Sequence, residues 1–345
     1  MAFDIYSPVF QLQSLKKMTP ISRVLTEMFM TEGRAVPQEI AIWDVKKGQN
    51  RMAPFVHKNG GGVVVGRTGF QTEKIEFPKI APEKVVEVED ISQRQFGENF
   101  ISDRTPQQRA LELMAEDLTD MREMIACTKE WMVSQILFQG KMDLLIYVDG
   151  GRVVEAPDWV DFNFTNIFTP TTPWDEAGSD LLNDMKDMHR MVLKGQGTVD
   201  LILMSQDVSA AMLSNEAYLK KLDMRNFNAG SIQQSFRGDS LVYLGKNHMN
   251  VDMYEFAGTV MDYTGENVKL IPDGTLLMGS RKMLKSLYGI ITQVETANTP
   301  HKTYMEKEVP LRYSDVASNS TKQRLTSRPV IMPNNVDGWA IGKVL

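Results

Sequence analysis

The stretch TPQQRALELMAEDLTDMREMIACTKEWMVSQILFQG, residues 105–140, decides how the chain is organised. Thr105 is a good N-cap, because its hydroxyl can accept from an unpaired N–H of the first turn. Pro106 suits the first helical position, where its missing N–H costs nothing. No glycine or proline then interrupts until Gly140. Leu111, Met114, Leu118, Met121, Ile125, Met132 and Ile136 recur in steps of three and four, with Thr128 filling the gap, and so form one apolar seam. At 1.5 Å per residue this helix is about 50 Å long, longer than many small domains are wide. Such a seam would suit a two-stranded coiled coil. Met124, Trp131 and Leu137 populate the opposite face, however, so the helix is expected to lie across a sheet.

Strand signals follow the helix. DLLIYVDGGRVV places a Gly-Gly turn between two apolar runs. In TPWDE, Thr172 reads as an N-cap, Pro173 as the first helical residue and Asp175 as a capping-box variant. The helix this opens should run to about Lys194 and stop at Gly195. TVDLILMS reads as a buried strand, and SQDVSAAML and SNEAYLKKL as short helices that start at serine caps. Further strands are expected at SLVYLG, MNVDMYEFAG, NVKLI, TLLMG, YGIITQV and RPVIMP, the last of them returning beside the strands that follow the long helix. This order is α+β.

Ahead of the helix, residues 1–50 show little periodicity and read as an arm that needs a surface to pack on. Residues 51–80 read as a long hairpin, with 51–58 going out and 63–80 coming back, around the turn signal HKNGGG. EKIEFPKI alternates, so Ile75 and Phe77 share one face, while Pro78 and Pro82 exclude a helix. A two-stranded hairpin is marginal alone in water. It is therefore expected to lie on a neighbouring subunit, with Gly61, Gly62, Gly66, Arg67, Ile75 and Phe77 as intersubunit contacts.

Within that hairpin, Gly61 to Thr68 spells G-x-x-x-x-G-R-T, a phosphate-binding loop except for Arg67 in place of lysine. A working loop of that kind needs a strand before it and a helix after it, so that loop N–H groups and the helix terminus both face the phosphate. Pro78 and Pro82 deny the helix. A nucleotide-binding enzyme is thus the alternative reading, and a hairpin tip the favoured one.

Composition bounds the remaining classes. The chain has 345 residues, 42% of them hydrophobic and 24% charged, and a formal net charge of −6. That balance excludes a globally basic nucleic-acid binder. Cys127 is the sole cysteine, so no intrachain disulfide can form. No signal peptide or membrane span is read. The 23 methionines are read as adaptable core filler. His57, His189, His248 and His301 have no metal-ligand spacing, and the carboxylates of MAEDLTDMRE fall on a solvated helix face. No catalytic, cofactor-binding or metal-binding residue is predicted, and no cofactor.

The ordered set AEDLTDMREMIACTKEWMVSQILFQGK, TPWDEAGSDLLNDM, NEAYLKKLDMR, VKLIPDGTLLMGS, LYGIITQVE and SRPVIMPNNVDGW resembles the lambda-type major capsid proteins of tailed bacteriophages, the phage major capsid protein E family. The resemblance implies a Hong Kong 97-type fold: N-terminal arm 1–50, extended hairpin loop 51–90, spine helix and first part of a peripheral domain 91–170, axial domain 171–285, and return strands of the peripheral domain 286–345. It implies hexamers and pentamers in an icosahedral virion shell around double-stranded DNA, assembled in the bacterial cytoplasm. A scaffold, a portal and a head-decoration protein are the implied partners, with DNA held without sequence-specific binding and no membrane. Some relatives crosslink subunits through a lysine of the extended loop. Lys58, Lys74 and Lys79 are available here, and no crosslink is predicted.

Overall fold

The computed structural model describes residues 15, 23–45, 71–87, 89–90, 105–148, 152–176, 178–216, 218–219, 241–262, 265–294, 301–315 and 320–345. Its long helix is Pro106–Gln139. Thr105 Oγ1 accepts from Gln108 N at 3.3 Å, and Gln108 Oε1 accepts from Thr105 N at 2.9 Å, a reciprocal capping box. Gly140 ends the helix in the left-handed region at φ 70°. A Cβ there would lie 2.4 Å from that of Phe164, so both conformation and space require glycine.

The two halves of this helix meet different surroundings. In the first half Leu118, Met121 and Ile125 are buried with Leu325 and Leu15 in a small core. In the second half every residue from 132 to 138 is buried. There the helix crosses a six-stranded sheet with the order Ile167–Phe168, Ala340–Lys343, Thr275–Gly279, Leu201–Met204, Asp252–Phe256, Leu241–Lys246. Leu201–Met204 and Thr275–Gly279 are buried on both faces, as their unbroken apolar runs require. Because strand side chains alternate, Leu201, Leu203, Leu277 and Ile341 join the core that holds Ile136 and Leu137. Their neighbours Ile202, Met204, Leu276, Met278 and Ala340 pack on Met185, Met188 and Val192 of the helix Leu181–Lys194. Each such fully buried side chain contributes roughly 1.5–3 kcal/mol of transfer free energy. Many of the methionines thus sit in one core layer.

The small core belongs to a three-stranded sheet with the order Val309–Asp315, Ser320–Thr326, Glu83–Glu87. Lys84 ties it to the long helix, with its ammonium 3.1 Å from Asp117 and 2.5 Å from Asp120. A third sheet joins Met30–Thr31, Leu284–Tyr288 and Pro329–Pro333.

Three expectations change. Gln71–Glu76 pairs antiparallel with Ile40–Val45, so the hairpin's base lies within the segment read as an arm, while the expected outgoing stretch 51–58 lies outside the described residues. The helix expected from Pro173 begins at Leu181, after Asp180 caps Asn183 N. Gly178 at φ 96° interrupts the earlier turn, and Trp174 is buried there with Nε1 donating to Asp184. Finally, Pro329–Pro333 pairs with Leu284–Tyr288 and not with a strand that follows the long helix, whereas Ala340–Lys343 inserts between Thr275–Gly279 and Ile167–Phe168.

The position of the helix gives a direct test. Met121 is fully buried and Met124, three residues on, is 50% exposed. Met121→Ala should cost about 2–5 kcal/mol in denaturant unfolding, whereas Met124→Ala should stay within about 0.5 kcal/mol of the parent.

Candidate assembly surfaces

The hairpin base has an inner and an outer face. On the inner face Ala41 and Ile75 are directly paired, and with Phe77 they join the main core. Arg328 fixes this end of the strand: its Nε and Nη2 donate to Phe77 O at 3.3 and 3.1 Å, and its Nη1 to Ile290 O at 3.0 Å. Phe77 also fills the space beside Gly289, where a Cβ would come within 2.7 Å of its ring. Ile75 and Phe77 do share a face, as alternation demanded, but that face is covered by their own chain. They are core residues and not intersubunit contacts. The outer face presents Ile40 and Ile42, 49% and 62% exposed, opposite the exposed Glu76 and Lys74. Gly61, Gly62, Gly66 and Arg67 lie outside the described residues.

The segment before the hairpin packs on its own subunit. Its short helix Val24–Phe29 lacks a local side-chain cap. Instead Glu130, on the long helix, accepts from Leu25 N at 2.7 Å, from Thr26 N at 2.8 Å and from Thr26 Oγ1 at 2.7 Å. Burial pushes the Glu130 carboxyl up, and the Thr26 and Leu25 donors pull it back. At the other end Lys282 Nζ donates to Glu27 O at 2.6 Å and to Met30 O at 2.9 Å. A helix of six residues is thus capped at both ends from more than a hundred residues away in sequence. Downstream, Gly33 passes so close to Ser286 that a Cβ would clash with its carbonyl oxygen. Residues 23–45 of the expected arm are therefore docked on their own subunit.

A partly buried charge cluster completes the joint. Lys129 is 8% exposed, and its ammonium lies 5.9 Å from the centre of the buried Tyr288 ring. Lys307 stands 5.7 Å from the same ring and 2.5 Å from Glu32. Arg122 pairs with Glu308 at 3.0 Å. Burial drives the Lys129 ammonium down and the Tyr288 hydroxyl up. Burial alone would raise Glu32, but the Lys307 contact brings it below the usual carboxylate range. These groups join the N-terminal segment, the long helix and two strand regions. Sequence reasoning missed them; the available signal was Lys129 and Glu130 side by side on a helix stretch that is otherwise apolar.

The strand Gln71–Glu76 stands where a phosphate-binding motif at Gly61–Thr68 would need a helix. Among the described residues no group of His, Cys, Asp or Glu could hold a metal ion. Cys127 accepts from Arg23 at 2.9 Å, and burial raises its thiol. No described helix is long and apolar enough to cross a membrane.

A spine-like helix braced between two sheets, with the strand pair Ile40–Val45 and Gln71–Glu76 at its flank, belongs to the Hong Kong 97-type capsid fold. The chain superimposes on a prophage protein of E. coli CFT073 assigned as its capsid protein, with TM-score 0.64, 15% identity, and 97% of this chain and 98% of that one covered. It is also similar to the mature capsid of bacteriophage PhiM1, with TM-score 0.50, 11% identity, and 94% and 88% covered. For the capsid of cyanophage P-SCSP1u the values are 0.51, 8%, and 94% and 89%. No curated protein matches the sequence. The model of the family "Phage major capsid protein E" matches residues 11–344, and the chain belongs to that family. Its role is that of a structural subunit of a phage shell, self-assembling into the virion's capsid.

Removing the Glu130 carboxylate tests the docked segment. Glu130→Ala leaves three donors without their acceptor. It should cost about 2–3 kcal/mol in unfolding and speed hydrogen exchange at Leu25 and Thr26 ahead of the rest of the molecule.

Proposed function

We propose that this chain forms the hexamers and pentamers of an icosahedral head around double-stranded DNA, and that its hairpin is the lever of assembly. One observation carries this reading: the hairpin base is rigidly seated on its own core, yet leaves Ile40 and Ile42 uncovered on the other face. Apolar strand surface held in that way favours a second surface over water. Residues 46–70, which the base carries, contain Lys46, Lys47, Arg51, Lys58 and Arg67 and no Asp or Glu. A basic segment extending from a chain of net charge −6 favours the acidic surface of another copy. Gly61, Gly62, Gly66 and Arg67 are then contacts with that copy.

In this reading the six-stranded sheet with the helix Leu181–Lys194 is the axial domain, and the long helix with the three-stranded sheet is the peripheral domain. Assembly takes place in the host bacterial cytoplasm. The partners are a scaffold, a portal and a head-decoration protein, with packaged DNA held without sequence-specific contacts. Membership of the phage major capsid protein E family is what favours these partners.

Electron microscopy of the purified chain should show capsomer rings or closed shells. A monomer that binds and hydrolyses nucleotide would overturn the reading. The hairpin has its own test. Replacing residues 46–70 with Asn-Gly, a two-residue turn suited to the Val45–Gln71 pair, should leave a folded subunit with a cooperative melt and no closed shells. Normal shells from this variant would remove the hairpin from assembly.

A further inference from the structure

The face of the three-stranded sheet turned away from the long helix carries charges of opposite sign at its two ends. Antiparallel register sets Glu83 opposite Arg324, Val85 opposite Lys322 and Glu87 opposite Ser320. The Ile80–Ser327 bridge continues that register, so Lys79 stands opposite Arg328. Lys79, Arg324 and Arg328 therefore gather at one end. Among the described residues no carboxylate lies within ion-pair distance of any of the three. Glu83, the nearest in register, accepts the Tyr313 hydroxyl at 2.8 Å instead. Arg328 spends its donors on carbonyl oxygens, which leaves its charge uncompensated. Arg324 Nε is buried without a hydrogen-bond partner beside the buried Leu311. Burial and the two neighbouring guanidinium groups push the Lys79 ammonium down. This is the environment of a cation site awaiting an anion.

At the other end stands Glu87, exposed and with its carboxylate unpaired among the described residues. Eight residues of extended chain separate Lys79 from Glu87, about 25 Å. The two ends cannot neutralise each other within one copy. Between them Val85 and Tyr313 are exposed, 49% and 37%.

We propose that Lys79, Arg324 and Arg328 form a carboxylate-binding site that receives Glu87 from a second copy of this chain, packed face to face and antiparallel about a two-fold axis. Such an isologous contact satisfies both ends at once and covers Val85 and Tyr313. A nucleic-acid backbone fits the same face poorly, because the carboxylates of Glu83 and Glu87 flank Lys322 and interrupt the row of cations. The proposal rests on the reading that copies of this chain meet in a shell, and the test separates the two.

Lys79→Glu and Glu87→Lys place like charges across the contact, and each should lower subunit pairing and shell yield by about tenfold or more. The double variant Lys79→Glu/Glu87→Lys should recover assembly. Mixing the two single variants should also recover it, because their altered charges complement each other in trans. Sedimentation velocity and shell counts by microscopy give the readout. Both side chains are exposed, and Lys79→Ala should keep or raise the Tm of the unassembled subunit, since it relieves like-charge repulsion. Wild-type shell yield from the single variants would overturn the site while leaving the shell role intact. Losses that neither the double variant nor mixing repairs would overturn it too. So would a salt-sensitive loss of DNA retention in otherwise normal Lys79→Glu shells, which would assign the cations to phosphate.

Discussion

One helix has to satisfy two environments, and much of the subunit follows from how it does so. From Met132 to Phe138 the long helix offers no solvent-facing side chain, so it must be enclosed. Enclosure is supplied by the six-stranded sheet, by the buried Trp339, whose Nε1 donates to Leu137 O at 3.0 Å, and by the N-terminal segment. From Leu118 to Ile125 the same helix has one apolar side only, and a three-stranded sheet suffices there. A rod of about 50 Å thereby runs through both cores, and Ile80 packs against each of them.

The price of enclosing the second half is burial of Lys129 and Glu130. Each is matched by a group brought from far along the chain: Glu130 by the first N–H groups of Val24–Phe29, Lys129 by the Tyr288 ring and the charges around it. These pairings fix the path of the N-terminal segment. That path in turn sets the strand Ile40–Val45 beside Gln71–Glu76, and so aims the hairpin. The buried charges therefore link the interior of the subunit to the element through which it meets its neighbours.

How much of this was legible in the sequence depended on whether the signal was local. Thr105, Pro106 and Gly140 mark the helix ends because capping is a matter of a few adjacent residues. The strands on either side of the Gly-Gly signal, Lys141–Val148 and Arg152–Asp161, and the apolar runs at 201–204 and 275–279 were equally plain. Alternation correctly set Ile75 and Phe77 on one face, but periodicity does not say which body covers that face, and it proved to be their own. Ala340–Lys343 escaped notice because Gly342 makes it look weak. Its missing side chain is what admits Met188 and Leu276 so closely. TPWDE has the letters of a helix start, yet a buried Trp174 and the left-handed Gly178 override them. The caps from Glu130 and Lys282 join residues over a hundred positions apart, and no local pattern announces such a pairing. Gly61–Thr68 shows the converse: its letters match a phosphate loop, yet the strand Gln71–Glu76 follows where such a loop needs a helix.

Native-state hydrogen exchange along residues 106–139 of the unassembled subunit tests this account most directly. Two levels of protection are expected. Amides of 132–138 should exchange only through global unfolding, while those of the first turns after Pro106 open locally and much faster, with a step where the helix leaves the main core. Uniform protection along the whole helix, or strongest protection at its N-terminal end, would contradict the claim that one buried half anchors the subunit and the other half is braced from outside.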